Sequence, residues 1–342
     1  MRTRLFSFSV FLFLMSMIPA RLMAAGGHEA PVKGRELVAY AYDSFIAEWG
    51  PGPELARRFE AGTGYHVTLI SCGDAAQVLS RAALEKGSPS ADVLVGLDNN
   101  LVDAARREGV LVPYKSADAE RVVPPELRLG DDWLLTPYDW GYFAMIFDTA
   151  STLKPPESLE DLTLPEYSKK IILMDPRTST PGVGFLAWTM AAYGDGYREY
   201  WKRLKGNILT MAPGWDSGYG LFTSGEAPLV ISYTTSPAYH LEFEGTERYR
   251  ALIFAQGHPL QVEGLGLVKG AKNPEGARAF IDFMLSDEAQ SVLPLTQWMY
   301  PVSSTVTLPE SYRAAPRAGK TLSVPSSGIG AAVDAVISIL AR

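Results

Sequence analysis

Leu134–Asp148, LLTPYDWGYFAMIFD, is a long aromatic run with extended character, and it interrupts an otherwise regular alternation of strands and helices. Before it, Glu36–Tyr42 (ELVAYAY) reads as a strand and Pro53–Ala61 as a helix, with proline near its start and Gly62 just past its end. His66–Ser71 is a second strand and Ala76–Lys86 an amphipathic helix stopping at Gly87. Ala91–Gly96 is a buried third strand, and Asn100–Glu108 a helix closed by Gly109. After the run, Pro155-Pro156 opens a linker, Leu159–Leu162 suggests a short helix, and a second series begins. It comprises a strand at Lys170–Met174 and a helix at Val183–Tyr193, whose start is marked by Thr180-Pro181-Gly182. Helices at Tyr197–Lys205 and Trp215–Thr223 and a strand at Pro228–Tyr233 complete it. Leu260–Val268 (LQVEGLGLV) is extended again. Asn273–Leu285 then repeats apolar residues at helical spacing, and Ala331–Leu340 is apolar enough for a packed terminal helix.

Alternation at this spacing predicts parallel α/β sheets. Two such series joined by two long extended segments predict an α/β protein of two lobes. The chain leaves the first lobe, builds the second and returns, so two hinge strands join the lobes and a ligand cleft lies between them. The expected boundaries are 36–136 with 263–298 for one lobe and 137–262 with 299–342 for the other.

The first residues are set aside. A basic start (Arg2, Arg4), an apolar run Leu5–Pro19 and small residues at Ala24-Ala25 have the layout of a secretory signal peptide, residues 1–25. No cysteine stands at the cut for lipid attachment, and no later stretch is apolar for long enough to span a bilayer. About 317 residues remain, which suits two domains better than one core. The composition, 47% hydrophobic and 20% charged, is ordinary for a globular chain. Cys72 is the single cysteine, so no internal disulfide forms. Without the three leader arginines, 28 basic residues face 38 acids, a charge of −10. That charge disfavours nucleic acid and anionic lipid and mildly favours a cationic solute.

Each strand end carries a polar or aromatic cluster. These are Tyr42-Asp43, Cys72-Gly73-Asp74-Ala75, Asp175 through Gly182, and Tyr233-Thr234-Thr235-Ser236 with Tyr239 beyond. Trp215 opens a helix, and Trp298 follows the long amphipathic one. Facing one cleft, these would combine aromatic faces for a flat or cationic ring, a carboxylate, and a helix start for an oxygen or phosphate. Taken singly, each has a plainer reading: tyrosine and tryptophan pack at strand ends, and Asp74, Ser179 and Thr180 cap helices.

Longer strings carry a resemblance. YDSFIAEWGPGP (42–53), ADVLVGLDNNL (91–101), PYDWGYFAMIFD (137–148), DPRTSTPGVG (175–184), SYTTSPAYH (232–240) and WMYPV (298–302) are similar to the periplasmic thiamine-binding proteins of bacterial ABC importers, over about Leu37 to Leu308. The resemblance implies the two-lobed periplasmic binding-protein fold, no enzymatic activity, and export to the periplasm. It implies thiamine, with its mono- and diphosphate, as ligand, an inner-membrane ABC permease as partner, and a monomer. It also implies ligand contacts at Asp74 with Ala75, Ser179 with Thr180, Trp215, and Tyr233 through Ser236. Tyr42, Tyr239 and Trp298 are further aromatic candidates. One departure stands out: the family pattern Glu-Asp-Gly is here Gly73-Asp74-Ala75, so the cleft is expected to depend more on rings than on charge.

Two rival classes remain open on the residues. A metal or polyamine binder of the same fold would suit aromatics plus Asp74, although Tyr233 and Tyr239 are not adjacent and no cluster has metal-ligand spacing. A thiaminase-like enzyme could use Cys72, but none of His28, His66, His240 or His258 is evidently placed as its base. No phosphate-cradling or dinucleotide loop is present, and Gly264–Gly270 reads as part of a hinge strand.

Overall fold

The computed structural model describes residues 35–342; the expected leader, residues 1–25, lies outside them. In chain order the first half supplies β1 (Glu36–Ala41), α1 (Asp43–Ile46), α2 (Pro51–Thr63), β2 (His66–Ser71), α3 (Ala75–Leu84), β3 (Val93–Asp98), α4 (Val102–Glu108), β4 (Leu111–Val112) and α5 (Ala119–Val122). A long strand, β5 (Thr136–Asp148), leads to β6 (Ile171–Met174), α6 (Thr180–Tyr193), α7 (Tyr197–Leu204), β7 (Ile208–Ala212), α8 (Trp215–Thr223), β8 (Leu229–Tyr233), α9 (Ser236–Glu244) and β9 (Tyr249–Leu252). A second long strand, β10 (His258–Val268), returns to α10 (Pro274–Met284), α11 (Asp287–Gln290), α12 (Leu293–Thr296) and β11 (Tyr300–Pro301). β12 (Thr321–Leu322) and α13 (Ile329–Leu340) close the chain.

The strand order is β2-β1-β3-β10-β5-β8-β6-β7. β5 and β10 run antiparallel over Thr136–Tyr142 and Leu260–Leu265. Beyond that shared stretch they part company. β10 pairs with β3 over Glu263–Leu267, overlapping that stretch at Glu263–Leu265 and continuing past it, and β5 continues against β8 and β9. One strand pair therefore serves two sheets, which is the two-hinge architecture that the aromatic run predicted.

Each sheet is buried on both faces, as parallel strands require. In β1 the alternation separates Leu37, Ala39 and Ala41, which pack with Phe59 of α2 and Phe280 of α10, from Tyr40, which packs with Val78 of α3. The second sheet packs Phe143, Ile172 and Val230 against Phe185 and Trp188 of α6, Trp201 of α7 and Ala332 of α13. α6 is buried from Thr180 to Thr189, as a helix apolar on every side should be, and only its last turn is half-buried.

Several expected boundaries shift. α2 continues through Gly62 and stops at Gly64, which adopts φ +72° and caps the helix; the stop was expected at Gly62. β3 runs two residues past Gly96 to Asp98, so its true end is an acid. β7, β9 and α9 were not expected at all.

Candidate functional site

A cavity of about 380 Å³ opens where the two sheets meet, and residues of both line it. Eight of the twelve candidates face it: Tyr42, Asp74, Thr180, Trp215, Tyr233, Ser236, Tyr239 and Trp298. Ala75, Ser179, Thr234 and Thr235 do not; all four are buried. The hydroxyls of Ser179, Thr234 and Thr235 complete no hydrogen bond of normal geometry.

Local chemistry explains the placements. Tyr42 follows β1, and its ring lies over Gly96, where a Cβ would stand 2.1 Å from a ring carbon. Gly96 also has φ +92°, so glycine is required twice over. Asp74 is the N-cap of α3, accepting from Ala75 N at 2.7 Å in a capping box with Gln77. The capping role and the cavity role coexist in one side chain. Burial raises the pKa of its carboxyl, opposed by Ala75 N–H, the Ser179 hydroxyl, and the N–H groups of Trp215 and Thr180. The last three belong to the starts of α6 and α8, so Asp74 reaches across the cleft to two helix N-termini.

Trp215 is held from behind. Its Nε1 donates to Ser232 Oγ at 2.8 Å, which contacts Ser236 Oγ at 2.8 Å. Its ring stacks on Tyr219 with centroids 5.0 Å apart and planes 18° from parallel. Tyr219 Oη meets His240 Nε2 at 2.9 Å, and His240 Nδ1 meets Glu244 Oε2 at 2.9 Å. Burial lowers the His240 pKa. The neutral tautomer that satisfies both contacts carries its proton on Nδ1, donating to Glu244 and accepting from Tyr219. Opposite Trp215 stands Trp49, 6.3 Å away and 49% exposed, at the cavity mouth. Trp298 packs edge-on against Tyr239 and Phe243, and its φ of +59° is strained for a non-glycine residue.

The floor is acidic. Glu263 of β10 lines the cavity and pairs in register with Asp98 of β3 on one side and Asp139 of β5 on the other. Tyr42 and Tyr138 both donate to Glu263 Oε2, at 2.7 and 2.6 Å, and Gln261 donates to Oε1. Burial, with Asp98 and Asp74 nearby, raises the Glu263 pKa to about 7. Burial likewise lifts Asp98 to about 7. Asp139 is driven well up by burial and by Glu263. Glu263 thus joins Asp74 as a carboxyl on the cavity lining, with Asp98 and Asp139 beside it in register and outside the lining.

Trp49, Glu263, Asp98 and Asp139 escaped the reading of the residues. Three of them are acids inside strands buried on both faces, and that anomaly in the strings VLVGLD, PYDWGY and LQVEGLGLV was an available signal. Cys72 does not line the cavity; its Sγ contacts Ile70 O and Arg81, and burial raises its pKa. Both facts oppose a nucleophilic role.

Two hinge strands between α/β sheets and a cavity built from both sides are the architecture of a solute-capturing protein. The chain belongs to the bacterial extracellular solute-binding protein family, whose model matches residues 88–321. Within that family it is 41% identical, over 91% of its length and 93% of the relative's, to the thiamine-binding periplasmic protein of Brucella melitensis. It is 40% identical to that of Escherichia coli, over 90% of this chain and 94% of the other. A solved periplasmic thiamin binding protein superposes with a TM-score of 0.83 at 37% identity, covering 90% of this chain and 96% of that one.

Proposed function

We propose that this protein captures thiamine in the periplasm and delivers it to an ABC importer of the inner membrane, with the mono- and diphosphate also accepted. The observation that carries the reading is the pairing of an aromatic wall with a carboxyl floor in one cavity. Thiamine offers what each side lacks: a flat aminopyrimidine for the rings and a thiazolium charge for the acids. Trp215, Tyr233 and Trp298, with Tyr42 and Tyr239 beside them, stack on the pyrimidine or face the thiazolium. Asp74, with Ala75 N–H holding its carboxyl, accepts from the amino group or offsets the thiazolium charge. Thr180, at the start of α6 with Ser179 buried beside it, takes the hydroxyethyl oxygen or phosphate, and Ser236 completes the polar side with Thr234 and Thr235 buried beside it. The lobes that close on the ligand are 36–136 with 263–298 and 137–262 with 299–342.

The deciding experiment is a titration of the mature protein with thiamine and its two phosphates, followed by tryptophan fluorescence. Trp49 and Trp215 flank the cavity, so saturable quenching is expected. No change in fluorescence or heat with any of the three would sink the reading. Iron or spermidine displacing thiamine at equal concentration would favour a different cation.

A further inference from the structure

Asp98, Glu263 and Asp139 stand side by side on three adjacent strands, with Glu263 opposite both others in register. They are 1%, 6% and 0% exposed. Both oxygens of Asp139 lack a hydrogen-bond partner. A buried, unpartnered carboxylate is too costly to keep, so such a group carries a proton. Glu263 is different: three donors converge on it and offset part of that cost, so it gives up a proton more readily than Asp139. The charges acting on the row are acidic too, Asp74 on Asp98 and both Asp98 and Asp74 on Glu263.

Among the described residues, the groups that face the row supply no cation. Tyr42 after β1, Tyr138 of β5, Gln261 of β10 and Tyr233 of β8 are neutral, and Asn100 after β3 bonds Asp98. Asp74 at the head of α3 is acidic, as are Asp216 and Glu244 elsewhere on the cavity lining. His240 spends both ring nitrogens on Tyr219 and Glu244. The row is a place where positive charge is missing beside a cavity with room for it.

We propose that Glu263, at the centre of this row, is the residue that selects a cationic ligand, by exchanging a proton shared within the row for the ligand's positive charge. The proposal rests on the thiamine reading only for the identity of the cation. In the empty cleft the row keeps a proton that limits its negative charge. A cationic ring entering the cavity lowers the row's affinity for that proton by about a hundredfold at a separation of about 6 Å. The proton leaves to solvent, and the ionised row becomes the ligand's counter-charge. A neutral ligand has nothing to offer in that exchange.

Proton release is read directly by calorimetry. The mature protein is titrated with thiamine at about pH 7 in phosphate and in Tris, two buffers of very different ionisation enthalpy. We expect binding heats that differ between buffers by about half to one released proton per ligand. We also expect affinity to weaken toward lower pH, by up to about tenfold per pH unit, between about pH 8 and 6, where the aminopyrimidine stays neutral. Glu263→Gln should bind at least about tenfold more weakly at pH 8 and lose the buffer dependence. Asp139→Asn provides a second variant should Glu263→Gln fail to fold, and the wild-type buffer comparison needs neither. Saturable binding with identical heats in both buffers and pH-independent affinity would overturn the exchange while leaving the ligand assignment intact. Proton release that persists in both variants would overturn its assignment to this row. No binding of thiamine in either buffer would overturn both.

Discussion

The two sides of the cavity are finished to different degrees. On the wall, Trp215, Ser232 and Ser236 form one chain of contacts, and Tyr219, His240 and Glu244 form another. Apart from the buried hydroxyls of Ser179, Thr234 and Thr235, the wall needs nothing from a ligand. On the floor, Asp139 has no partner and Glu263 sits between two other acids. The wall is preorganised, so its affinity comes without reordering side chains. The floor is unsatisfied, so it favours whatever brings a positive charge. Shape and stacking belong to one region and charge selection to the other.

The largest effect should come from removing the platform. Trp215→Ala deletes the ring that Tyr219 supports and leaves Ser232 without its donor. A desolvated cation–aromatic contact contributes about 2 kcal/mol or more, so thiamine affinity should fall at least about thirtyfold by calorimetry. A change under about threefold would shift the binding role onto Trp298 and Trp49.

Next comes the floor, tested without ligand. Glu263 and Asp98 have pKa values raised to about 7 from 4.5 and 3.8. The folded protein therefore binds more protons than the unfolded chain between these limits. Their contribution to stability is complete below about pH 4 and lost as pH rises through about 7. The melting temperature of the free protein should fall from about pH 5 to 8, on the order of 2 kcal/mol in stability, and saturating thiamine should flatten that decline. Asp148 does not confuse the result. Its pair with Arg248 lowers its pKa, so that contribution is lost only in stronger acid, below 3.8. A melting temperature that rises over the same window would remove the contrast between wall and floor.

A smaller effect tests how rigidly the wall is held. Ser232→Ala removes the acceptor of Trp215 Nε1 but no ring. One neutral hydrogen bond is worth about 1 kcal/mol, so affinity should weaken about fivefold, with the pH dependence unchanged. An altered pH profile would show that wall and floor are coupled through β8.

The same contrast explains what could be read from the chain. The hinge strands were legible because LLTPYDWGYFAMIFD and LQVEGLGLV break a periodic pattern over a long distance. The wall was legible because aromatic residues cluster at strand ends, and the resemblance then favoured Trp215 and Tyr233. The floor was not, because it exists only through register: Asp98, Glu263 and Asp139 are far apart in sequence and meet when three strands align. Gly73 stands where the family pattern has an acid. It adopts φ +95°, a backbone conformation where a glutamate would be strained, so the departure from the family pattern fits the backbone this chain adopts. α9 is not evident in SYTTSPAYH, where Tyr233–Ser236 and Tyr239 stand out as a strand-end cluster, although Pro237 suits the first turn of a helix.

The smallest expected effect is also informative. Cys72 stands two residues before Asp74, near enough in sequence to invite a chemical role. In space it faces Ile70 O and Arg81 and is absent from the cavity lining, and burial holds its thiol in the protonated form. Alanine there removes one partly buried sulfur and no ligand contact. Thiamine affinity in Cys72→Ala should stay within about twofold of wild type, and a mass spectrum of the wild-type complex should show no covalent pyrimidine adduct. A large loss of affinity would mean that Arg81, released from the thiol, no longer holds the strand end that presents Asp74. The acid at the cleft edge would then depend on packing behind it, as the ring of Trp215 depends on Ser232, and the separation between a supported wall and an unsupported floor would have to be redrawn at Asp74.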